Sequence, residues 1–290
     1  MFQGSIVALA TPLNGGQVDK EKLKELVDFQ IKNGTQGIVS MGTTGEAATM
    51  SHEEDIEITA LVVKHVNGRI PVIAGTGSNS TREALFLTEA AKKSGADAAL
   101  VVTPYYNKPT QEGLYQHFKY LAENVDIPII LYNVPSRTGV WLQPETMARL
   151  SKVTGIVAVK ESSGGVDAAM HLLRLAPDFT VLSGDDNFTL PLMALGAKGV
   201  ISVAANVIPD KVSTLCRFML NGDYPAARKL HYELLDFFKG IFIESNPIPI
   251  KAALALLGMI KEEYRLPLVP MGDANRERLK VIMKDLGLSV

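Results

Sequence analysis

Eight short apolar runs, spread over the first 205 residues, constrain this chain more than any other feature. They are SIVALAT (5–11), GIVSMG (37–42), PVIAGTG (71–77), AALVVTP (98–104), PIILYNVP (128–135), IVAVKES (156–162), FTVLSGDD (179–186) and GVISVAA (199–205). Most are near-continuously hydrophobic rather than alternating, the pattern of parallel strands covered on both faces. The stretches between them carry helical spacing and helix-start signals. Leu23, Leu26, Val27 and Ile31 fall on one helical face behind Asp19. Ser51 with Glu54, and Ser80 with Glu83, have the spacing of a capping box. Thr110 is an N-cap candidate before Leu114, Phe118 and Leu121, and Gln143-Pro144 sets a proline in a first helical turn. Eight strand–helix units in strict alternation predict an α/β chain with a parallel sheet, and eight is the number that closes a (β/α)8 TIM barrel. An open doubly wound sheet is the alternative, but no GxGxxG opens the first helix. The expected division is residues 1–222 for the barrel and 223–290 for a C-terminal helical extension packed on it.

Composition narrows the function classes. Lysine and arginine number 29 against 31 acidic residues, so the net charge of −2 offers no electrostatic case for nucleic acid or an anionic membrane. No run reaches the ~18 apolar residues of a membrane span, and the start MFQGSIVALATP lacks the basic segment of a targeting signal. The expectation is a cytoplasmic protein. The single cysteine, Cys216, rules out an intrachain disulfide and a CxxC metal site, and its apolar helical context reads as burial. The five histidines (His52, His65, His117, His171 and His231) all fall in helical stretches, so no metal site is expected at the strand ends. With no Walker or Rossmann fingerprint either, no cofactor is expected.

In a closed (β/α)8 barrel the chemistry sits at the C-terminal ends of the strands. The most informative residue there is Lys160, which directly follows Ile156-Val157-Ala158-Val159. An ammonium is costly to bury unless it is paired or neutral, and the neutral amine is a nucleophile. A structural lysine paired with Glu161 or Asp185 is the competing reading. Tyr132 ends the neighbouring strand and offers a phenol for proton transfer. A free phenol titrates near ~10, so a relay is needed, and Thr43 and Tyr106 supply hydroxyls for one at the ends of strands 2 and 4. Thr43 and Thr44 lie in a glycine-flanked turn whose N–H groups suit a carboxylate. Arg137, in a loop bounded by proline and glycine, can grip a second carboxylate bidentately.

These segments resemble a known family. GTTGE (42–46), TPYYN (103–107), YNVPSRTG (132–139), VKES (159–162), SGDD (183–186) and NPIP (246–249) are similar, in order and along nearly the whole chain, to the 4-hydroxy-tetrahydrodipicolinate synthases. These belong to the pyruvate-dependent class I aldolase superfamily. The resemblance implies condensation of pyruvate with L-aspartate-4-semialdehyde, in the diaminopimelate route to lysine. It makes Lys160 the imine-forming residue and Tyr132 the acid/base, linked through Thr43 to Tyr106 of a neighbouring subunit. It gives the pyruvate carboxylate to Thr43 and Thr44, and the second carboxylate to Arg137. Gly184 and Ile201 would add wall contacts through their backbones. It also implies a homotetramer built as a dimer of dimers, and an allosteric lysine site around Ala47, Ala48, His52, Asn79, Glu83 and Tyr105. Asp55, where lysine-sensitive members often carry histidine, departs from that pattern. N-acetylneuraminate lyase or a 2-keto-3-deoxy sugar acid aldolase of the same superfamily is the alternative, which Arg137 disfavours.

Overall fold

Each apolar run forms a strand that is buried along almost its whole length. The computed structural model describes residues 2–290 and gives β1 (Gly4–Ala8), β2 (Gly37–Ser40), β3 (Val72–Gly75), β4 (Ala98–Val102), β5 (Ile129–Asn133), β6 (Ile156–Glu161), β7 (Thr180–Ser183) and β8 (Gly199–Ser202). All neighbours pair in parallel, and β1 pairs with both β2 (Ile6 opposite Gly37) and β8 (Gly4 opposite Gly199). The ring is therefore closed, and the open-sheet alternative is excluded. Closure depends on a glycine: a Cβ at Gly199 would lie 2.1 Å from the carbonyl oxygen of Gly4. Any side chain there would force β1 and β8 apart.

The helices are α1 (Lys20–Lys32), α2 (His52–Val66), α3 (Thr81–Lys93), α4 (Gln111–Asn124), α5 (Pro144–Leu150), α6 (Asp167–Leu175), α7 (Thr189–Ala194) and α8 (Pro209–Leu220). Asp19 and Thr110 cap α1 and α4, and Ser51 with Glu54 closes both bonds of a capping box on α2. The box expected on α3 is half formed. Ser80 accepts from the Glu83 N–H, but the Glu83 carboxylate instead accepts from Ser78 Oγ at 2.7 Å. Ser78 is the nearer donor and takes the carboxylate away from the N-cap.

Alternation along the strands separates two apolar populations. Val7, Ile38, Val101, Leu131, Val159 and Val181 face outward and pack under the helices. Ile6, Val39, Ile73, Leu100, Ile130 and Ile201 are among those that fill the barrel interior. Beyond α8 the chain adds α9 (Tyr224–Gly240), α10 (Ile248–Leu256) and α11 (Asp273–Asp285), with α11 packed on both α9 and α10. The extension does more than lie against the barrel: Phe242 and Asn246, between α9 and α10, reach the mouth at the strand ends. No helix among the described residues is long and apolar enough to cross a membrane.

Candidate active site

Strand register decides which side chains meet. Lys160 on β6 stands directly opposite Tyr132 on β5. Each lies two residues beyond an interior residue, Ala158 and Ile130, so both project into the barrel. Lys160 is 5% exposed, and its Nζ sits 4.3 Å from the centroid of the Tyr132 ring. A cation or amine over an aromatic face is held without being neutralised by a carboxylate. Glu161, one residue on, points to the other face, where it accepts from Asn133 Nδ2 at 2.9 Å and the Ser163 N–H at 2.7 Å. Burial pushes the Glu161 carboxyl above its ordinary value. None of the ion pairs among the described residues includes Lys160. A structural lysine locked to Glu161 or Asp185 is thus not what the strand ends contain.

Gly184, after β7, makes room for this lysine. A Cβ there would stand 1.8 Å from Ser162 Oγ and 2.9 Å from Lys160 Cε. The backbone of one strand end therefore presses against the lysine stem of the next.

Above Lys160 and Tyr132 opens a cavity of about 140 Å³, far more than the roughly 10–15 Å³ that one water needs. Thr43 and Thr44 form one wall. Their turn is tight, with Gly45 N–H donating to Gly42 O and Glu46 N–H to Thr43 O, both at 3.1 Å. Across the cavity, Pro135–Thr138 forms a single helical turn, closed by Gly139 at φ 70°, rather than an open loop. That turn presents Arg137 to the cavity. Asn246 bridges the two walls. Its Nδ2 donates to Thr44 Oγ1 at 3.0 Å, and its backbone carbonyl oxygen accepts from Arg137 Nη2 at 3.1 Å.

The two aspartates after β7 have separate jobs. Asp186 is fully buried and accepts from the N–H groups of Val203 and Ala204 at 2.9 and 3.0 Å, which ties down the chain after β8. Asp185 lines the cavity. Burial raises its carboxyl to about 6, against the opposing pull of Lys160. The arrangement is thus one sequestered amine, one phenol beside it, two facing walls that carry hydroxyl and guanidinium groups, and a single acid.

The match to known proteins extends well beyond this site. A family model described as the dihydrodipicolinate synthetase family matches residues 1–286. The chain belongs to that family. It is 56% identical to the 4-hydroxy-tetrahydrodipicolinate synthase of Geobacter metallireducens, over 99% of this chain and 100% of the relative. The crystal structure of dihydrodipicolinate synthase from Aquifex aeolicus superimposes with a TM-score of 0.97 at 54% identity, covering 99% of each chain. A chloride-inhibited family member from Acinetobacter baumannii, solved in complex with pyruvate, superimposes with a TM-score of 0.98 at 49% identity over all of both chains.

Several expected site residues lie elsewhere. Tyr106 is 90% exposed and outside the cavity, so one chain brings together Tyr132 and Thr43 but not the third member of the relay. Its backbone sits at φ 71°, with its N–H donating to Thr138 O at 3.3 Å, and this turns the side chain outward. At β8 the side chain that lines the cavity is Val203, while the side chain of Ile201, expected to contribute through its backbone, lies in the barrel interior. Ala48, His52, Glu83 and Tyr105 are exposed and Asn79 is half-buried, all outside the cavity. His52 packs on Phe86 of α3 with ring centroids 6.3 Å apart, and Asn107 Nδ2 ties down Asn79 O at 2.9 Å. Phe242 and Asn246 were missed as site residues. The NPIP motif contains Asn246, yet no spacing rule links position 246 to a strand end.

Proposed function

We propose that this cavity condenses pyruvate with L-aspartate-4-semialdehyde to 4-hydroxy-tetrahydrodipicolinate through a covalent imine on Lys160. One observation carries the assignment of the covalent step. The only lysine lining the cavity is buried over the Tyr132 ring and, although it acts on Asp185 at a distance, forms no direct ion pair. Its amine attacks the ketone of pyruvate, and Tyr132 shuttles the protons by which the carbinolamine loses water. The resulting iminium is an electron sink that acidifies the pyruvate methyl group. The enamine carbon then attacks the aldehyde. The N–H groups and hydroxyls of the Thr43–Thr44 turn hold the pyruvate carboxylate, and Arg137 holds the carboxylate of the second substrate. Attack by the substrate's own amine on the imine carbon closes the ring and frees Lys160.

Tyr106 completes the relay from a neighbouring subunit in this reading. Tyr105 and Tyr106 stand exposed on the outer surface, with Trp141 also exposed on the following loop. Large aromatic side chains in solvent suit a self-association face. The assembly we propose is a homotetramer, a dimer of dimers, with lysine binding at the Ala48, His52, Asn79, Glu83 and Tyr105 positions of the dimer face. The protein works in the cytoplasm in this reading.

Borohydride reduction in the presence of pyruvate, followed by peptide mass spectrometry, tests the covalent step. The expected result is a stable pyruvate adduct on Lys160 that Lys160→Ala abolishes. An adduct on another lysine, or none, would remove the mechanism.

A further inference from the structure

The condensation leaves one charge unaccounted for. L-aspartate-4-semialdehyde carries an ammonium as well as a carboxylate. A cavity containing Arg137 and Lys160 repels that ammonium, yet its nitrogen must finally reach the carbon bound to Lys160. It must also lose a proton first, because an ammonium has no lone pair with which to attack.

Asp185 is the only acidic side chain lining the cavity. It directly follows Gly184, whose Cα packs so closely on the Lys160 stem that a Cβ would lie 2.9 Å from Cε. Asp186, next along, is committed to the chain after β8, and Glu161 is committed to Asn133 and Ser163 on the outer face of the strands. The Asp185 carboxyl meets only the backbone N–H of Gly164, which leaves it room to take a further donor. Its backbone carbonyl oxygen accepts from Ser183 Oγ at 2.8 Å.

We propose that Asp185 is a catalytic residue of the release step: its carboxylate receives the substrate ammonium and takes one of its protons. This rests on the condensation proposed above. The step balances without any further reactant. Asp185 accepts one proton from the ammonium, and the freed amine forms a C–N bond to the iminium carbon. The two protons left on that nitrogen pass to Lys160 Nζ as the C–Nζ bond breaks and its electron pair returns to the lysine. The product is a neutral cyclic imine beside an ammonium on Lys160 and a protonated Asp185. Burial, which lifts the carboxyl to about 6, makes Asp185 a better proton acceptor than an exposed carboxylate.

The test compares the unmodified protein with Asp185→Asn, trapping with borohydride and weighing the Lys160 peptide. Two aldehydes are used: L-aspartate-4-semialdehyde, and 4-oxobutanoate, the same chain without the amine. With pyruvate alone, both proteins should trap the pyruvate adduct. With L-aspartate-4-semialdehyde, Asp185→Asn should lose turnover by ~10²-fold or more. It should also accumulate the heavier adduct that carries both substrates. Adduct formation with 4-oxobutanoate should differ less than about threefold between the two proteins, because a general base for the ammonium has no part in it. Loss of condensation with both aldehydes, or turnover at the unmodified rate, would overturn the inference. If the unmodified protein traps no pyruvate on Lys160, the proposed function fails and this step with it. The unmodified protein gives a second reading that needs no variant. Product release should fall as pH drops through about 6, while condensation with 4-oxobutanoate should lack that limb. The charged groups that act on Asp185, namely Lys160 and Glu161 of β6 and the adjacent Asp186, are the same in both arms. A shared acid limb would overturn the assignment.

Discussion

Gly184→Ala isolates the effect of one methyl group on the imine. The backbone of Gly184 is not in the left-handed region, so alanine carries no conformational penalty there and the effect is purely steric. The new Cβ would stand 1.8 Å from Ser162 Oγ, and 2.9 and 3.0 Å from Lys160 Cε and Cγ. Ser162 Oγ is buried without a hydrogen-bond partner, so it can rotate away at small cost. The lysine stem cannot be relieved in that way, because it lies between β5 and β7 in the ring. Reaching ordinary contact with the new methyl demands a shift of about half an ångström or more at Cε, and the displacement grows toward Nζ. Overpacking of this kind costs ~1–3 kcal/mol of stability. A reacting atom displaced by ~1 Å loses on the order of 10²-fold in rate. Gly184→Ala should therefore stay folded but trap pyruvate ~10²-fold more slowly, as followed by the time course of borohydride-fixed adduct. Adding Ser162→Ala removes the 1.8 Å contact and should recover stability without recovering the rate. If the single variant trapped pyruvate at the unmodified rate, the claim that Gly184 sets the position of Lys160 would be wrong.

Tyr132→Phe keeps the ring under Lys160 but removes the proton shuttle, and should lower kcat by ~10²-fold or more in a steady-state assay. Arg137→Ala should raise KM for the aldehyde while leaving the pyruvate adduct on Lys160 intact; an unchanged KM counts against its role. Lys251 on α10 and Glu46, both fully buried, form an ion pair beneath the Thr43–Thr44 turn. Lys251→Met strands the Glu46 carboxylate and should cost about 3–5 kcal/mol in urea unfolding, most of it recovered by the double variant Lys251→Met with Glu46→Gln. Asp55 on α2 is 8% exposed, its Oδ1 has no partner, and burial raises its carboxyl to about 7. The folded state therefore holds that proton more tightly than the unfolded chain. The stabilisation is complete below the unfolded value of 3.8 and is lost as pH rises through about 7, on the order of 4 kcal/mol in all. Asp55→Asn should abolish that slope in thermal melts between pH 4 and 7; an unchanged slope would place its origin elsewhere.

The barrel was legible because strand burial writes itself into sequence as apolar runs, and because a fixed architecture says where chemistry must sit. Lys160 and Tyr132 were readable for that reason: a lysine and a tyrosine at the ends of apolar strands can hardly face anything but the barrel mouth. The pairing of the two could not be read, since parallel register is set by closure of the whole ring and not by either strand. The same limit explains Ile201 and Val203. Both lie near one strand end, and only the depth of the interior layer decides which of their side chains meets the cavity.

Asn246 exposes a different limit. Two walls on opposite sides of a ring have no reason, from their own sequences, to keep a fixed distance. Here the Asn246 amide holds the Thr44 wall and its carbonyl holds the Arg137 wall, so one residue outside the barrel sets the span between them. That residue is followed directly by α10, whose Lys251 is paired with Glu46 under the same turn. The extension is therefore part of the site, because the hydrogen bonds that join the Thr44 wall to the Arg137 wall both run through Asn246. Such a span is a property of contacts across about two hundred residues of chain. Local pattern carries no trace of it, which is why the residues that form the walls were easier to find than the one that spaces them.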